Sequence, residues 1–342
     1  MEGESKKQSK AIPIWLLIGC LLIFIMVAIG GLTRLTHSGL SMVEWTIFGA
    51  KPPSNDAHWQ ELFDKYKQYP EYQQVNFNFS LEEFKSIFFW EYFHRMFGRM
   101  IGLVFIIPFL WFWFKKMISK RLMPKLIIIL IMGGFQGVLG WYMVKSGLVK
   151  NPDVSHYRLA MHLTTAFLTF AYTFWVALGL IYPESIKAKI HPLKKYFTWL
   201  LPIVILQIIW GAYVAGLNAG KVYNTWPKMG DQWIADGVTA MQPWWLNFVE
   251  GLAGVQFIHR YVAYVVFGLI IFISIKAKKY KLSTSQQRGI RALHITVGIQ
   301  FVLGVFTLLY AVPVSLGLLH QLGAFLLLGA TVFAMNRFST VD

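Results

Sequence analysis

Eight long apolar segments dominate the sequence, and they restrict the fold more than any other feature. Each is close to the roughly 20 residues that an α-helix needs to cross a bilayer. In lipid only helices and closed barrels satisfy their backbone hydrogen bonds, and these segments are too long and continuous for barrel strands. We therefore predict an all-α polytopic membrane protein with eight transmembrane helices. The predicted spans are 13–31, 88–114, 126–144, 159–182, 196–216, 254–275, 292–312 and 314–335.

The net charge of +16 has a distribution that indicates orientation in a membrane and no nucleic-acid partner. Lysine and arginine cluster in the loops after the second, fourth and sixth spans. By the positive-inside rule these loops and both termini are cytoplasmic. The clusters are Lys115, Lys116, Lys120, Arg121 and Lys125; Lys187, Lys189, Lys194 and Lys195; and Lys276, Lys278, Lys279, Lys281, Arg288 and Arg291.

The chain has one cysteine, Cys20, which excludes an intrachain disulfide, an iron–sulfur cluster and a cysteine zinc site. The residues before the first span contain glutamate and no arginine, unlike a mitochondrial presequence. We predict a multi-pass protein of the bacterial plasma (inner) membrane.

The two halves of the chain share landmarks in the same order, which indicates an internal duplication. We predict two repeated four-helix bundles, residues 1–182 and 183–342, with the same orientation in the membrane. The matching landmarks are Gly30, Gly39 and Trp45 with Gly211, Gly220 and Trp226; His94-Arg95 with His259-Arg260; segment 136–140 with segment 300–304; and His162 with His320.

Four histidines stand at matching positions of the repeat: His94, His162, His259 and His320. All are predicted in the first turns of the even-numbered spans, near the outer face. Polar groups inside a bilayer are costly, and two imidazoles at one depth can ligate a heme iron from both sides. We predict one heme in each half. A zinc or copper site fits less well, because each half offers two histidines and no second buried carboxylate.

Four arginines lie where the propionates of such hemes would emerge: Arg34, Arg95, Arg99 and Arg260. Guanidinium groups match carboxylate geometry, so these are candidate propionate contacts. Snorkelling to lipid headgroups is the alternative, and the sequence leaves both open.

The repeat differs one turn before the first histidine of each half. Glu91 precedes His94, whereas Gln256 precedes His259. A carboxylate beside a heme could relay a proton or stabilise a developing positive charge. The N-terminal half is therefore the candidate reactive half. A structural ion pair between Glu91 and Arg95 is the alternative.

The first long loop carries aromatic residues at helix-like spacing among polar ones: Trp59, Phe63, Tyr66 and Tyr69. This pattern is typical of an amphipathic helix on the outer membrane surface, as an interfacial anchor or a moving lid.

Five sequence strings, 30–36, 38–45, 91–99, 136–148 and 222–230, closely resemble the heme A synthase family, in the branch shared by mitochondria and many Gram-negative bacteria. The resemblance implies an oxidoreductase that oxidises a methyl group of heme O to a formyl group by successive hydroxylations. It implies that His94 and His162 bind the substrate heme O, that His259 and His320 ligate a heme b cofactor, and that Glu91 is the essential carboxylate.

Two other functions use the same residues. A di-heme cytochrome b would pass electrons without altering either heme, and Glu91 would then have no catalytic role. A heme transporter or chaperone would not need stable ligation in both halves. For a heme A synthase, the expected partners are membrane lipid, cytochrome oxidase assembly factors and the heme O synthase that supplies the substrate. The sequence leaves open whether the protein forms a homo-oligomer.

Overall fold

The computed structural model describes residues 10–45, 52–150, 152–182 and 190–339. Within these ranges the chain forms ten α-helices and no β-strand. The helices are α1 (Ala11–Leu35), α2 (Asp56–Tyr66), α3 (Pro70–Gln74), α4 (Leu81–Phe114), α5 (Met123–Gly147), α6 (His156–Ile181), α7 (Lys194–Gly216), α8 (Leu252–Ala277), α9 (Thr284–Leu309) and α10 (Val314–Arg337).

Eight of these helices, α1 and α4 to α10, are long and apolar enough to cross a membrane. The predicted all-α, eight-span architecture is confirmed, and the protein is a multi-pass membrane protein. Lys187 and Lys189 of the second basic loop lie outside the described residues. The cytoplasmic location of the termini stays a prediction.

Helix α4 begins at Leu81, well before the apolar segment predicted at residue 88. Ser80 and Glu83 form a capping box, in which the Glu83 carboxylate also accepts from the Ser80 backbone N–H at 2.8 Å. The first turn is polar, so hydropathy alone misses it. His94 therefore lies about three and a half turns into its helix, and the prediction of a first-turn position is wrong for this histidine.

Helix α9 ends at Leu309, earlier than the predicted boundary at residue 312. Ala311 and Val312 have φ angles of 56° and 63°, a left-handed conformation that does not continue an α-helix. The turn lets α10 start at Val314 and return antiparallel against α9.

Four helices form the centre of the molecule: α1, α6, α7 and α10. Helix α1 packs on α6 and α10, and α6 also packs on α7 and α10. The ring centres of Phe170 and Phe325 lie 3.9 Å apart where α6 meets α10. Helices α4 and α5 flank one side and α8 and α9 the other, so each flanking pair contributes one wall to the space around the centre.

Helix α2 packs on α4. Phe84 of α4 stacks on Phe63 and Tyr66 of α2, with ring centres 5.2 and 5.1 Å apart. All three side chains are buried. The predicted amphipathic helix is present as α2, and the Phe63 and Tyr66 rings of its apolar face pack on α4. Tyr69 lies beyond the end of α2, as the residue before α3. The place of this helix at the outer membrane surface stays a prediction.

Candidate functional site

One large internal cavity, with a volume of about 1410 Å³, runs between the central and flanking helices. Pockets for drug-sized ligands usually have volumes of about 300–1,000 Å³, so this cavity can hold a larger ligand. Its lining includes every candidate histidine, arginine and glutamate of the predicted heme sites: Arg34, Glu91, His94, Arg95, Arg99, His162, His259, Arg260 and His320.

Each of the four histidines packs against a glycine of the neighbouring helix. A β-carbon added at Gly30 would lie 3.0 Å from Cε1 of His94, and one at Gly211 would lie 3.0 Å from Cε1 of His259. The equivalent distances are 3.3 Å from Gly140 to His162 and 2.9 Å from Gly304 to His320. These contacts explain four glycines of the repeat, Gly30, Gly140, Gly211 and Gly304, because any larger residue there would displace an imidazole.

The rings of His259 and His320 have centres 6.2 Å apart and planes at 85°. A metal–imidazole bond is about 2 Å long and the ring centre lies roughly 1 Å beyond the nitrogen, so two axial imidazoles on one iron stand about 6 Å apart. The pair therefore fits a heme iron ligated from both sides. The buried Nδ1 atoms of both rings also have no hydrogen-bond partner in the described structure.

In each half a glutamine lies one turn before the glycine that contacts the second histidine, and this glutamine contacts that histidine too. Gln300 Nε2 lies 3.4 Å from His320 Nε2. In the amide orientation that satisfies both ends, Gln136 donates to His162 Nδ1 at 3.1 Å and accepts from the Ala166 backbone N–H at 2.8 Å. Residues four apart share a helix face, so the repeated glutamine and glycine form one histidine-binding surface.

Glu91 is 2% exposed and held by three donors. Ser41 Oγ and the backbone N–H of Met42 both donate to Oε2 at 2.7 Å. Arg95 donates to Oε1 at 2.5 Å. The ion pair that the sequence offered as an alternative is therefore present, and Glu91 also lines the cavity near the histidines.

Arg95 is engaged mainly with the chain itself. Its guanidinium donates to the carbonyls of Met42 and Glu44 at 2.8 and 2.9 Å, and it lies 4.9 Å from the ring centre of Trp45. It fixes the segment after α1 across the top of Glu91.

The second half repeats this arrangement without the carboxylate. Gln256 donates to the carbonyl of Tyr223 at 3.2 Å, and Arg260 donates to the carbonyls of Thr225 and Lys228. Tyr223 and Thr225 are the repeat counterparts of Met42 and Glu44. A buried Nη1 of Arg260 has no partner in the described structure, which leaves a donor for an anionic group.

The other two predicted arginines differ in their contacts. Arg34 of α1 donates to the backbone carbonyl of Ala215 on α7 and so links the two halves. Arg99 donates to the backbone carbonyl of Arg95 at 3.0 Å. Both line the cavity.

The cavity is deeper on the side of the first half. Along α1 its wall starts at Trp15, whereas along α7 it starts at Val204, the counterpart of Ile23. Eight helical residues correspond to about 12 Å. Glycines make this room: Gly98, Gly102, Gly133 and Gly137 stand where the second half has Ala263, Phe267, Val297 and Phe301.

Sequence reasoning missed Glu71, a second buried carboxylate in the first half. Its side chain is 6% exposed and lines the cavity. The expectation that this half has no second buried carboxylate is wrong. Even so, among the described residues no three His, Cys, Asp or Glu side chains come together as a metal site.

The fold and site define a multi-pass membrane protein with paired histidines around an internal cavity. A model of the family described as cytochrome oxidase assembly protein matches residues 13–332, and the chain belongs to this family.

Three similar proteins carry the name heme A synthase. The one from Flavobacterium psychrophilum is 54% identical over 338 residues, covering 97% of this chain and 99% of the relative. That from Nitrosospira multiformis is 46% identical over 332 residues, covering 96% and 93%. That from Wolbachia pipientis is 41% identical over 329 residues, covering 95% and 92%.

Proposed function

We propose that this protein is a heme A synthase, an oxidoreductase that converts a methyl group of heme O to a formyl group. The observation that carries this proposal is the histidine pair repeated in both halves around one cavity, with a buried carboxylate, Glu91, at the matching position of only one half. The relatives that bear this name match nearly the whole chain.

The first half, residues 1–182, is proposed as the substrate side, with His94 and His162 holding heme O. Heme O carries a farnesyl tail, and the deep extension of the cavity lies on this side. Its lining is apolar, including Trp15, Leu22 and Phe105. Burying a long hydrocarbon chain there is favourable by about 25 cal/mol for each Å² removed from water.

The second half, residues 183–342, is proposed as the cofactor side, with His259 and His320 as the ligands of heme b. At the positions equivalent to Gly102 and Gly137 this half carries Phe267 and Phe301, whose ring centres are 5.4 Å apart. The cavity wall along α7 also starts eight residues later in the repeat than along α1, which leaves less room for a tail. A heme b held by these two histidines would supply one-electron transfer. The unpartnered Nη1 of Arg260 is the propionate contact that we favour.

Glu91 is the proposed catalytic carboxylate. Ser41, Met42 and Arg95 fix its orientation, so the group is positioned before substrate arrives. It would accept a proton from the reacting methyl carbon or stabilise positive charge there. A backbone amide, a hydroxyl and a guanidinium all donate to its carboxylate. A residue that only filled space would need none of these hydrogen bonds.

The proposed location is the bacterial inner membrane, with both termini cytoplasmic and the heme sites near the outer face. Supply of heme O by heme O synthase and delivery to cytochrome oxidase assembly factors follow from the apolar nature of substrate and product. Co-purification in mild detergent with the heme O synthase tests the first of these contacts.

Heme extraction from cells that make heme O tests the function. Native protein should yield heme A, whereas Glu91→Gln should accumulate heme O with both heme sites loaded. Glu82→Gln, an exposed residue of the same helix, is the matched control and should behave as native. Unchanged heme O with heme-loaded native protein would instead support a di-heme cytochrome b.

A further inference from the structure

A hydrogen-bonded group joins α2, α3 and the turn after α3. Tyr66 donates its hydroxyl proton to Glu71 Oε2 at 3.0 Å, and Asn76 Nδ2 donates to the same hydroxyl oxygen at 2.8 Å. The backbone N–H of Asn76 donates to the Glu71 carbonyl at 2.9 Å. Because Asn76 supplies a donor to the phenol oxygen, the single phenol proton is directed at Glu71.

This group is fixed against the reacting side of the cavity. Phe84 of α4 stacks on Tyr66, and Glu71 lies on the cavity wall together with Glu91 and His94. The titratable groups that face Glu71 are Tyr66 from α2 and Glu91 from α4, and Glu91 is in turn paired with Arg95. None of these residues belongs to the second half, so the group is another difference between the halves.

Burial raises the pKa of Glu71 to about 7, and the neighbouring Glu91 carboxylate acts in the same direction. The Tyr66 hydrogen bond opposes this rise but does not cancel it. The pKa of the Tyr66 hydroxyl is itself raised, mainly by burial, so the phenol keeps its proton. At neutral pH the carboxyl can therefore both accept and release a proton.

Heme O oxidation requires such an exchange whichever oxygen source is used. With water, R–CH3 + H2O gives R–CH2OH + 2H⁺ + 2e⁻. With dioxygen, R–CH3 + O2 + 2H⁺ + 2e⁻ gives R–CH2OH + H2O. Protons leave or enter the site in both cases, and Glu91 is enclosed by its three donors.

Resting on the proposed function, we propose that Glu71 is a positioning residue that exchanges protons with the Glu91 site during heme O oxidation. Tyr66 and Asn76 hold the Glu71 carboxyl at the cavity wall. This role differs from that of Glu91, which we place beside the substrate itself.

Infrared spectroscopy of the purified protein tests the titration without relying on turnover. Native protein should show a protonated carboxyl C=O band that is lost with a midpoint near pH 7. The band should be missing in Glu71→Gln and retained in Glu82→Gln. A native protein without the band, or a band that persists in Glu71→Gln, overturns the proposal.

The pH dependence of heme A formation provides the second readout. Glu71→Gln should lower turnover by about a hundredfold, the lower end of the range for a lost acid–base group, and remove the dependence near pH 7. Glu71→Asp should restore part of it at unchanged heme content. A native profile in Glu71→Gln overturns this inference alone, whereas native protein that forms no heme A overturns the proposed function.

Discussion

The imidazole of His320 packs directly on Gly304, where an added β-carbon would stand 2.9 Å from its Cε1 atom. The histidine is thereby held at the angle from which it faces His259 across 6.2 Å. Three equivalent contacts hold the other histidines. Helix packing therefore orients the four histidines that we propose as heme ligands.

Gly304→Ala should impair heme retention in the second half. Overpacking of this kind costs about 1–3 kcal/mol, and here the cost falls on a proposed ligand. Gly298→Ala on the same helix is the control, since nothing lies within 4 Å of its added β-carbon. Heme content by absorbance should fall several-fold in the first variant only. Equal heme content in both variants would contradict the proposed role of the contact.

Gly137→Phe should block substrate while leaving the cofactor in place. It installs the residue that Phe301 supplies in the second half, and it would fill the deep extension of the cavity. We expect an about tenfold or larger loss of heme A formation, corresponding to about 1.4 kcal/mol or more. Heme content of the second half should not change.

Gly134→Ala is the matched control for that experiment, because its counterpart Gly298 is also a glycine. If Gly137→Phe makes heme A at the native rate, the tail does not occupy this extension.

Arg95→Met should destabilise the protein far more than Lys65→Met. Arg95 is buried with Glu91, and removing one member of a buried pair costs about 3–5 kcal/mol. Lys65 pairs with Glu44 and Glu61 at 3.0 Å in an exposed position, where solvent screens the charges and a pair contributes little to stability. Thermal unfolding of heme-free protein in detergent compares them, and equal midpoints would argue against a buried ion pair.

Phe84→Ala should release α2 and α3 from α4. Its ring stacks on Phe63 and Tyr66, and truncating a buried phenylalanine costs about 3–5 kcal/mol. Hydrogen exchange in segment 56–76 should accelerate while the spans stay protected. Phe77→Ala, which removes an exposed ring, should leave exchange unchanged. Unchanged exchange in Phe84→Ala would mean that other contacts hold the segment.

Stability should depend on pH through Glu71. Its pKa is raised on folding from its ordinary value of 4.5 to about 7, so the folded state binds the proton more tightly than the unfolded state. The contribution of this protonation to the free energy of unfolding is therefore full below pH 4.5 and is lost as pH rises through 7. Its size is a few kcal/mol, since one pKa unit corresponds to about 1.4 kcal/mol.

The unfolding midpoint of native protein, compared with that of Glu71→Gln, should thus decline between pH 4.5 and pH 7. Parallel curves for the two proteins would show that Glu71 titrates normally.

Much of this fold follows from hydropathy and the internal repeat. Span length predicts the eight helices, and the matched histidines and glycines predict which residues meet at the cavity. The pairing of Glu91 with Arg95 also follows, because residues four apart share a helix face.

Features set by tertiary packing were not predictable in this way. The start of α4 depends on a polar capping box, and hydropathy ignores it. Glu71 lies in a helix of only five residues, without periodicity or a counterpart in the repeat. Its burial comes from α2 and α4, which are separate in sequence, so no local sequence pattern indicates that Glu71 is buried.

The hydrogen bond from Arg34 to the Ala215 carbonyl joins two positions that are equivalent in the repeat, 181 residues apart. Equivalent positions can touch only at a symmetry axis. A symmetric dimer of two identical half-length chains would place the same residue on both sides, giving two facing arginines or two alanines. The acceptor in this chain is a backbone carbonyl, so only one of the two equivalent positions needs to carry the arginine. The pairing of Arg34 with Ala215 at the axis is thus a further asymmetry between the halves, as is the pairing of Glu91 with Gln256 in the repeat.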